Sequence, residues 1–474
     1  MTRVLFLQRI LTENLGPMYL SAIAKRHGHD CLLQIEDGKA DNRVFDSYRP
    51  EIVAFSVTTG IHQWALKRAA EIKKRYDVKI IVGGPHATFF PEVVSDPAVD
   101  VIFRGEAENS FIQYLASPFS ESALSTIPNI WYKQGTEIVK NELGTLVEDL
   151  DTLPCPDRTL YYDRYPTFKK NENKPFISGR GCPYSCTYCS IAGLRELYQG
   201  KGRFVRFHSP ERVIEEIVTV RDKYGLRSVI FQDDTFILGT DRLDRLLTLY
   251  EKKVKLPFIC HIRADLLTGD IARHLKSAGC HSVDFGVETG DEELRQRLLG
   301  KGITDNHLKQ AATILHEVGI PFRTTNMLGL PGETYEQALK TFKINQELKT
   351  NFPSASVYQP YPRTALGDHV IQSGLAGENY SVDAIGSSFF RTSLLNRKDM
   401  HKFINLQKFF WLGVRFPKLM PLIKFLVKAP PNFVYEGIFL LCYAINYALS
   451  EKVSIRHVLN IGRRTAKTVF FGKI

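Results

Sequence analysis

The chain alternates strand-like and helix-like segments in two separate runs, and this pattern restricts it to α/β architecture. In the first run, apolar segments at 4–7, 31–35, 52–56, 80–82 and 101–103 read as strands, with helices predicted at 17–26, 63–75 and 108–115. Alternation at this spacing builds a parallel sheet with right-handed crossovers. Residues 118–173 break the pattern. Short segments at 130–133 and 138–140 flank Gln134-Gly135 and predict a hairpin, and Leu153-Pro154-Cys155-Pro156-Asp157 follows as a connector. The second run has strands predicted at 175–178, 228–232, 258–262, 282–287, 321–327 and 355–359. Its helices are predicted at 210–223, 241–252, 271–278, 291–299, 305–318 and 335–348. Six βα units predict a partial or full barrel, whose sites gather at the C-terminal ends of its strands. The expected order is a doubly wound parallel-sheet domain over 1–120 and a connector with the hairpin over 121–173. A (βα)6 partial barrel over 174–386 and a helical region over 387–474 follow.

Chemistry concentrates just after the first strand of the second run, at Gly179-Arg180-Gly181-Cys182-Pro183-Tyr184-Ser185-Cys186-Thr187-Tyr188-Cys189. Three thiolates do not complete a structural zinc site, which takes four closed ligands; a distant fourth ligand would be needed. Three thiolates do suit three irons of a cubane cluster, leaving the fourth iron open to a substrate group. The later barrel strands end in polar residues: Asp233 and Asp234, Arg263, Glu288 and Asn326. Such groups suit the charged ends of a small cofactor, while Asp233 and Asp234 read equally as caps of the next helix. In the first run the strand-end loops carry Ser56, Thr58, Gly83, Gly84, Pro85 and Glu106. Ligands of such sheets bind beyond the carboxyl ends of the strands, and glycine lets backbone approach a bulky ligand closely. Ordinary tight turns remain the other reading of these glycines.

The cysteine segment resembles the signature of the radical S-adenosylmethionine superfamily. That resemblance implies a [4Fe–4S] cluster on Cys182, Cys186 and Cys189, an open iron that takes the methionine moiety, and cleavage to a 5′-deoxyadenosyl radical. It places Tyr188 beside the adenine and makes Arg263 and Glu288 the foremost cofactor contacts, with Asp233, Asp234 and Asn326 behind them. The first domain, with Leu15-Gly16-Pro17, Gly83-Gly84-Pro85-His86-Ala87-Thr88 and Gly105-Glu106-Ala107-Glu108, is similar to the cobalamin-dependent branch of that superfamily. Many cobalamin domains have Asp-x-His-x-x-Gly after the first strand. Here Gln8-Arg9-Ile10-Leu11-Thr12-Glu13-Asn14 has no histidine, which fits a branch that leaves cobalt without this ligand and equally a domain that has lost cobalamin. His86 reads as a ligand or as a structural histidine.

The implied activity is cobalamin-dependent methyl transfer to an unactivated carbon of a hydrophobic or natural-product substrate, small molecule or lipid. Such an enzyme needs a one-electron donor such as flavodoxin or ferredoxin. The alternatives are a non-methylating radical oxidoreductase or cyclase, like the anaerobic cyclases of tetrapyrrole synthesis, and a cobalamin or redox sensor.

Charge separates the tail from the rest. Residues 391–474 hold 15 Lys and Arg against Asp399, Glu436 and Glu451, leaving 47 basic and 48 acidic residues elsewhere. Aromatics and leucines lie among those charges, so the tail reads as a membrane-interface segment or as a helical bundle covering the barrel. No nucleic-acid module accompanies it, and no nucleic-acid partner is expected. The N-terminal apolar run is too short for a signal peptide. Cys31, Cys155, Cys260, Cys280 and Cys442 are too dispersed for a disulfide framework and read as small buried hydrophobes. A cytoplasmic enzyme is expected, with the inner face of the membrane as its second address.

Overall fold

A computed structural model describes residues 1–451, apart from Lys39, Phe119, Asn379, Ser387 and Phe389, and also Val458. Among the described residues, contacts divide the chain into two compact units: 1–171 with 194–204, and 172–193 with 205–451.

In the first unit, strands β1 (Arg3–Gln8), β2 (Asp30–Ile35), β3 (Ile52–Ser56), β4 (Lys79–Gly83), β5 (Val101–Phe103), β6 (Ile130–Gln134) and β7 (Glu137–Lys140) form one sheet. Its order is β2-β1-β3-β4-β5-β6-β7, with the first five strands parallel. Val4, Leu5, Phe6 and Leu7 are all buried, as expected of a parallel strand covered on both faces. Leu5, Val53, Phe55 and Val82 pack with Ala65, Ala69 and Ile72 of the helix His62–Lys73. On the other side Phe6 and Phe103 meet Phe111 of the helix Glu108–Ala116. The hairpin β6–β7 adds antiparallel to β5. The segment expected as a connector thus extends the first sheet, because Trp131 and Tyr132 pair with Ile102 and Val101.

In the second unit, β8 (Asn173–Phe176), β11 (Ser228–Phe231), β12 (Phe258–His261), β13 (Cys280–Glu288), β14 (Phe322–Leu328) and β15 (Phe352–Val357) are all parallel and lie in that order. Edge strands β8 and β15 are not paired with each other, so this is an open (βα)6 partial barrel. Between β8 and β11, two short strands, β9 (Gly179–Arg180) and β10 (Arg206–Phe207), pair antiparallel. Phe231, Phe258, Cys260, Val283, Phe285, Val287 and Phe322 bury against the surrounding helices. Helix starts are fixed by side-chain caps: Ser209, Thr268, Thr304 and Thr334 each accept an N–H of the first turn.

One predicted helix is altered. Within 291–299 a π turn runs over Leu294–Leu298, since the buried Arg295 guanidinium binds the carbonyls of Val287, Thr289 and Ile303 and pairs with Asp305.

The described part of the tail docks on β14 and β15. Gln407 donates to the Ala355 carbonyl at 3.0 Å, and Asn446 of the helix Phe433–Ser450 donates to that of Pro353 at 3.1 Å. Phe410 meets Phe342 edge-on at 4.8 Å. The bundle reading therefore holds for the inner face of this region; residues 452–457 and 459–474, with six of its 15 basic groups, lie outside the described residues. The dispersed Cys31, Cys260, Cys280 and Cys442 are buried thiols.

Candidate functional site

Cys182, Cys186 and Cys189 lie on the loop between β9 and the helix Ser190–Leu197. Gly181, with φ at 90°, turns the chain into that loop. Two carboxylates brace its approach. Asp233 accepts from the Ser178 N–H at 3.0 Å and the Ser178 hydroxyl at 2.6 Å, and Asp234 accepts from the Gly181 N–H. Neither caps the next helix, whose N-cap is Gly239. Between Cys186 and Cys189, the Thr187 N–H and hydroxyl both donate to carbonyls, those of Leu299 at 3.0 Å and Leu298 at 2.6 Å.

The donor set suits an iron–sulfur cluster. The Ile191 and Ala192 N–H groups at the start of the following helix point at the Cys189 sulfur, although burial pushes that thiol up. The Arg263 guanidinium lies 4.0 Å from Cys186 Sγ and the Thr235 hydroxyl 3.7 Å from Cys182 Sγ. Amide dipoles and a cation of this kind favour sulfur as thiolate, the form that ligates iron.

Next to the cysteines, Tyr188 donates to Glu288 Oε1 at 3.0 Å, and Lys301 Nζ reaches the same oxygen at 2.6 Å and the Tyr188 hydroxyl at 3.3 Å. Burial and the Glu288 carboxylate hold the Tyr188 phenol far above its ordinary range, so it remains a donor. Glu288 closes β13 with φ at 65°, where the register against β14 shifts past Gly286. A Cβ at Gly286 would overlap the Glu288 carboxylate and Lys301 Nζ. Glycine is therefore what lets the carboxylate fold back beside its own strand.

Arg263 is committed to this loop. Asp265 holds it at 3.1 and 3.0 Å, the Lys301 carbonyl at 2.9 Å, and it stacks 3.4 Å from the Tyr184 ring centre. Asn326 is committed elsewhere. Its amide donates to Thr324 and the Ser354 carbonyl and accepts from Asn345 of the helix Tyr335–Glu347. Asn326, expected as a cofactor contact, is thus placed in a buried network by both its amide nitrogen and its oxygen. Lys301, Thr235 and Tyr184 were not singled out from the sequence. The signal for Lys301 was its setting, Gly300-Lys301-Gly302, in which both glycines have positive φ.

The strand face opposite the helices carries a polar stripe. His261 Nε2 lies 3.9 Å from Asp284, Arg323 lies 3.2 Å from Asp284 and 2.7 Å from Glu451, and Gln232 and Thr325 are exposed.

In the first unit, Ser56, Thr58, Gly83, Gly84 and Pro85 gather at the carboxyl ends of β3 and β4. The Val57 N–H binds the Gly83 carbonyl at 2.9 Å and the His86 N–H binds that of Val57 at 3.0 Å. Gly84 has φ at 90°, and a Cβ there would lie 2.8 Å from Val57 N. Glu106 is anchored through its backbone, with N–H to the Tyr198 hydroxyl and its carbonyl accepting from Asn129. His86 is buried, stacked 3.9 Å from His62 and 5.0 Å from Phe90, with Nδ1 against the Thr59 hydroxyl. That packing is what the structural reading of His86 expects. The loop after β1 is tied by Tyr161 to Gln8 and by Tyr162 to Glu13. An edge of backbone and hydroxyls, with Thr58 and Pro85 exposed, suits a large ligand rich in neutral amides, as a corrin is.

Residues 176–344 match the radical SAM superfamily and residues 11–115 the B12 binding domain. An uncharacterized methyltransferase of Pyrococcus horikoshii is 30% identical over 377 residues, covering 76% of this chain and 79% of its own. The anaerobic magnesium-protoporphyrin IX monomethyl ester cyclase of Cereibacter sphaeroides is 25% identical over 335 residues, covering 67% of this chain and 53% of its own. Among solved structures, the cobalamin-dependent S-adenosylmethionine radical enzyme OxsB with aqua-cobalamin bound has a TM-score of 0.69 and 15% identity, covering 99% of this chain and 84% of that one.

Proposed function

The chain belongs to the radical S-adenosylmethionine enzymes that carry a B12-binding domain, and from that membership we propose that it transfers a methyl group to an unactivated carbon of a small-molecule substrate. The family works with a [4Fe–4S] cluster, S-adenosylmethionine and cobalamin, which supply one-electron cleavage of the sulfonium and a methyl carrier. What the protein contributes is placement. Cys182, Cys186 and Cys189 hold three irons, and Asp233, Asp234 and Thr187 fix the loop that carries them. Arg263 acts as a positioning residue, locked by Asp265 and Tyr184 beside Cys186. Tyr188, Glu288 and Lys301 meet the cosubstrate: Tyr188 and Lys301 occupy one oxygen of Glu288, so Oε2 accepts from an ammonium or ribose hydroxyl. Ser56, Thr58, Gly83, Gly84, Pro85 and Glu106 take the corrin.

The observation that carries this reading is the convergence of the cysteine loop with the Tyr188–Glu288–Lys301 triad at the carboxyl ends of parallel strands. Gln232, His261, Asp284, Arg323 and Thr325 line the open strand face, so the substrate presents hydrogen-bonding groups beside the hydrocarbon carbon that reacts. A one-electron donor such as flavodoxin or ferredoxin completes the system. The cyclase relative favours a second reading, radical oxidation or cyclisation without methylation.

The test uses S-adenosylmethionine labelled in its methyl group, a low-potential reductant and an extract of small molecules. Label in a new carbon–methyl product, together with 5′-deoxyadenosine, supports methyl transfer. 5′-Deoxyadenosine with unlabelled product moves the cyclase reading ahead. Product formation undiminished in a Cys182/Cys186/Cys189→Ala variant overturns both.

A further inference from the structure

Most large apolar side chains that the protein leaves exposed are gathered in one region. Phe416, Leu419, Leu422, Phe425, Phe433, Val434, Leu441 and Leu449 are exposed, Phe425 by 69% and Phe433 by 85%; outside this region only Met1 and Leu375 are, among the described residues. Arg415, Lys418, Lys424 and Lys428 are interleaved with them and are exposed too. Between Asp399 and Glu436 the sequence has no acidic residue. Trp411 stands edge-on to Phe416 at 6.1 Å, at the border of this surface.

The long helix Phe433–Ser450 shows how the surface is oriented. Tyr435, Phe439, Cys442, Asn446 and Ser450 bury one face, and Asn446 bonds to β15. Val434, Gly437, Leu441 and Leu449 form the opposite, exposed stripe. Its one charged residue, Glu436, turns inward to Lys408 at 3.1 Å and Arg391 at 3.3 Å. The helix has the length and apolarity to cross a bilayer, yet a helix bonded to the protein along one face is not free to be surrounded by lipid.

We propose that residues 415–449 form a peripheral docking surface for an anionic lipid bilayer, with the leucines and phenylalanines entering the interface and the four cations meeting lipid phosphates. The commitment to lipid rests on charge complementarity. Basic residues alternating with aromatics and leucines, without acids, match a negatively charged apolar boundary. A second copy docking through this same surface would bring no acids to pair with these cations. This inference is independent of the chemistry proposed above, because no residue of the cysteine or strand-end sites takes part.

The test is cosedimentation of the full chain, loaded with iron and cobalt, with phosphatidylcholine vesicles containing or lacking about a third phosphatidylglycerol. Binding to the anionic vesicles, weakened by salt and by omission of phosphatidylglycerol, is expected. L422E/F425E should reduce binding by about tenfold or more, and K418E/K424E by about tenfold. Both variants should retain wild-type iron content, which separates loss of docking from loss of fold. Wild-type protein that stays in solution, or binding unchanged in both variants, overturns the proposal. A wild-type dimer that L422E/F425E dissociates, without vesicle binding, would assign the surface to a second copy and overturn it equally.

Discussion

Glu288 is buried against Tyr188, the neighbour of Cys189, and Lys301 supplies its counter-charge at 2.6 Å. Removing one partner of a buried pair leaves an uncompensated charge, a loss of about 3–5 kcal/mol. K301M should therefore lower the unfolding free energy of the second unit by that order, and E288Q/K301M should recover most of it; anaerobic urea denaturation reads both. If E288Q/K301M is no more stable than K301M, the pair is not a unit. A second buried carboxyl gives a pH signature. Burial pushes Glu333 up to about 7, although its Oε2 accepts the Gly329 and Leu330 N–H groups. A carboxyl whose folded pKa is raised holds its proton more tightly folded than unfolded. Its stabilising effect is complete below the unfolded value of 4.5 and is lost as pH rises through about 7. The difference in melting temperature between wild type and E333Q should therefore change across pH 4.5 to 7, with the variant relatively more stable at the alkaline end. A constant difference would show that Glu333 does not titrate there.

Elements explain why some of the site could be read in advance. In the first sheet, β1, β3, β4 and β5 were legible because they are buried on both faces and read as apolar runs, as Val4 to Leu7 do. In the second sheet, strands such as Phe322–Leu328 alternate and were legible from their place between helical segments. The cysteine loop was legible because three thiols crowd into eight positions, four and three residues apart. Strands β9 and β10 were not, since two residues each give no periodicity; they exist because Gly179 lets Phe207 pack against the backbone. Lys301 and the Asn326 network were not legible either, because both depend on which side chains of distant segments meet. Arg295 likewise converts a predicted α-helix into a π turn through bonds to residues before and after it. The bulge at Gly286 yields an element-scale prediction. G286A places a methyl group where the Glu288 carboxylate and Lys301 lie, so it should abolish binding of S-adenosylmethionine in equilibrium dialysis. Iron content should stay at the wild-type level, since the atoms nearest a Cβ at Gly286 belong to Glu288 and Lys301 rather than to a cysteine. Undiminished binding would mean the Glu288–Lys301 pair does not meet the cosubstrate.

At the scale of the molecule, the two units have separate sheets and separate hydrophobic cores. The groups assigned to each cofactor lie on one unit alone: the cysteines on the second, the β3 and β4 loops on the first. Two metals held this way should be separable by substitution. Gly84 sits at φ 90°, and any Cβ there presses on the Val57 backbone, so G84A strains the loop assigned above to the corrin by about 1–3 kcal/mol. Gly84 and the cysteine loop belong to different compact units, which makes additivity the expectation. After reconstitution with iron, sulfide and hydroxocobalamin, G84A should retain about four irons per chain while losing most of its cobalt. The Cys182/Cys186/Cys189→Ala variant should lose those irons and keep its cobalt, and the combined variant should lose both. If the cysteine variant also sheds cobalt, corrin retention depends on the second unit, and the assignment of cobalamin to Ser56, Thr58, Gly83, Gly84, Pro85 and Glu106 alone would fail.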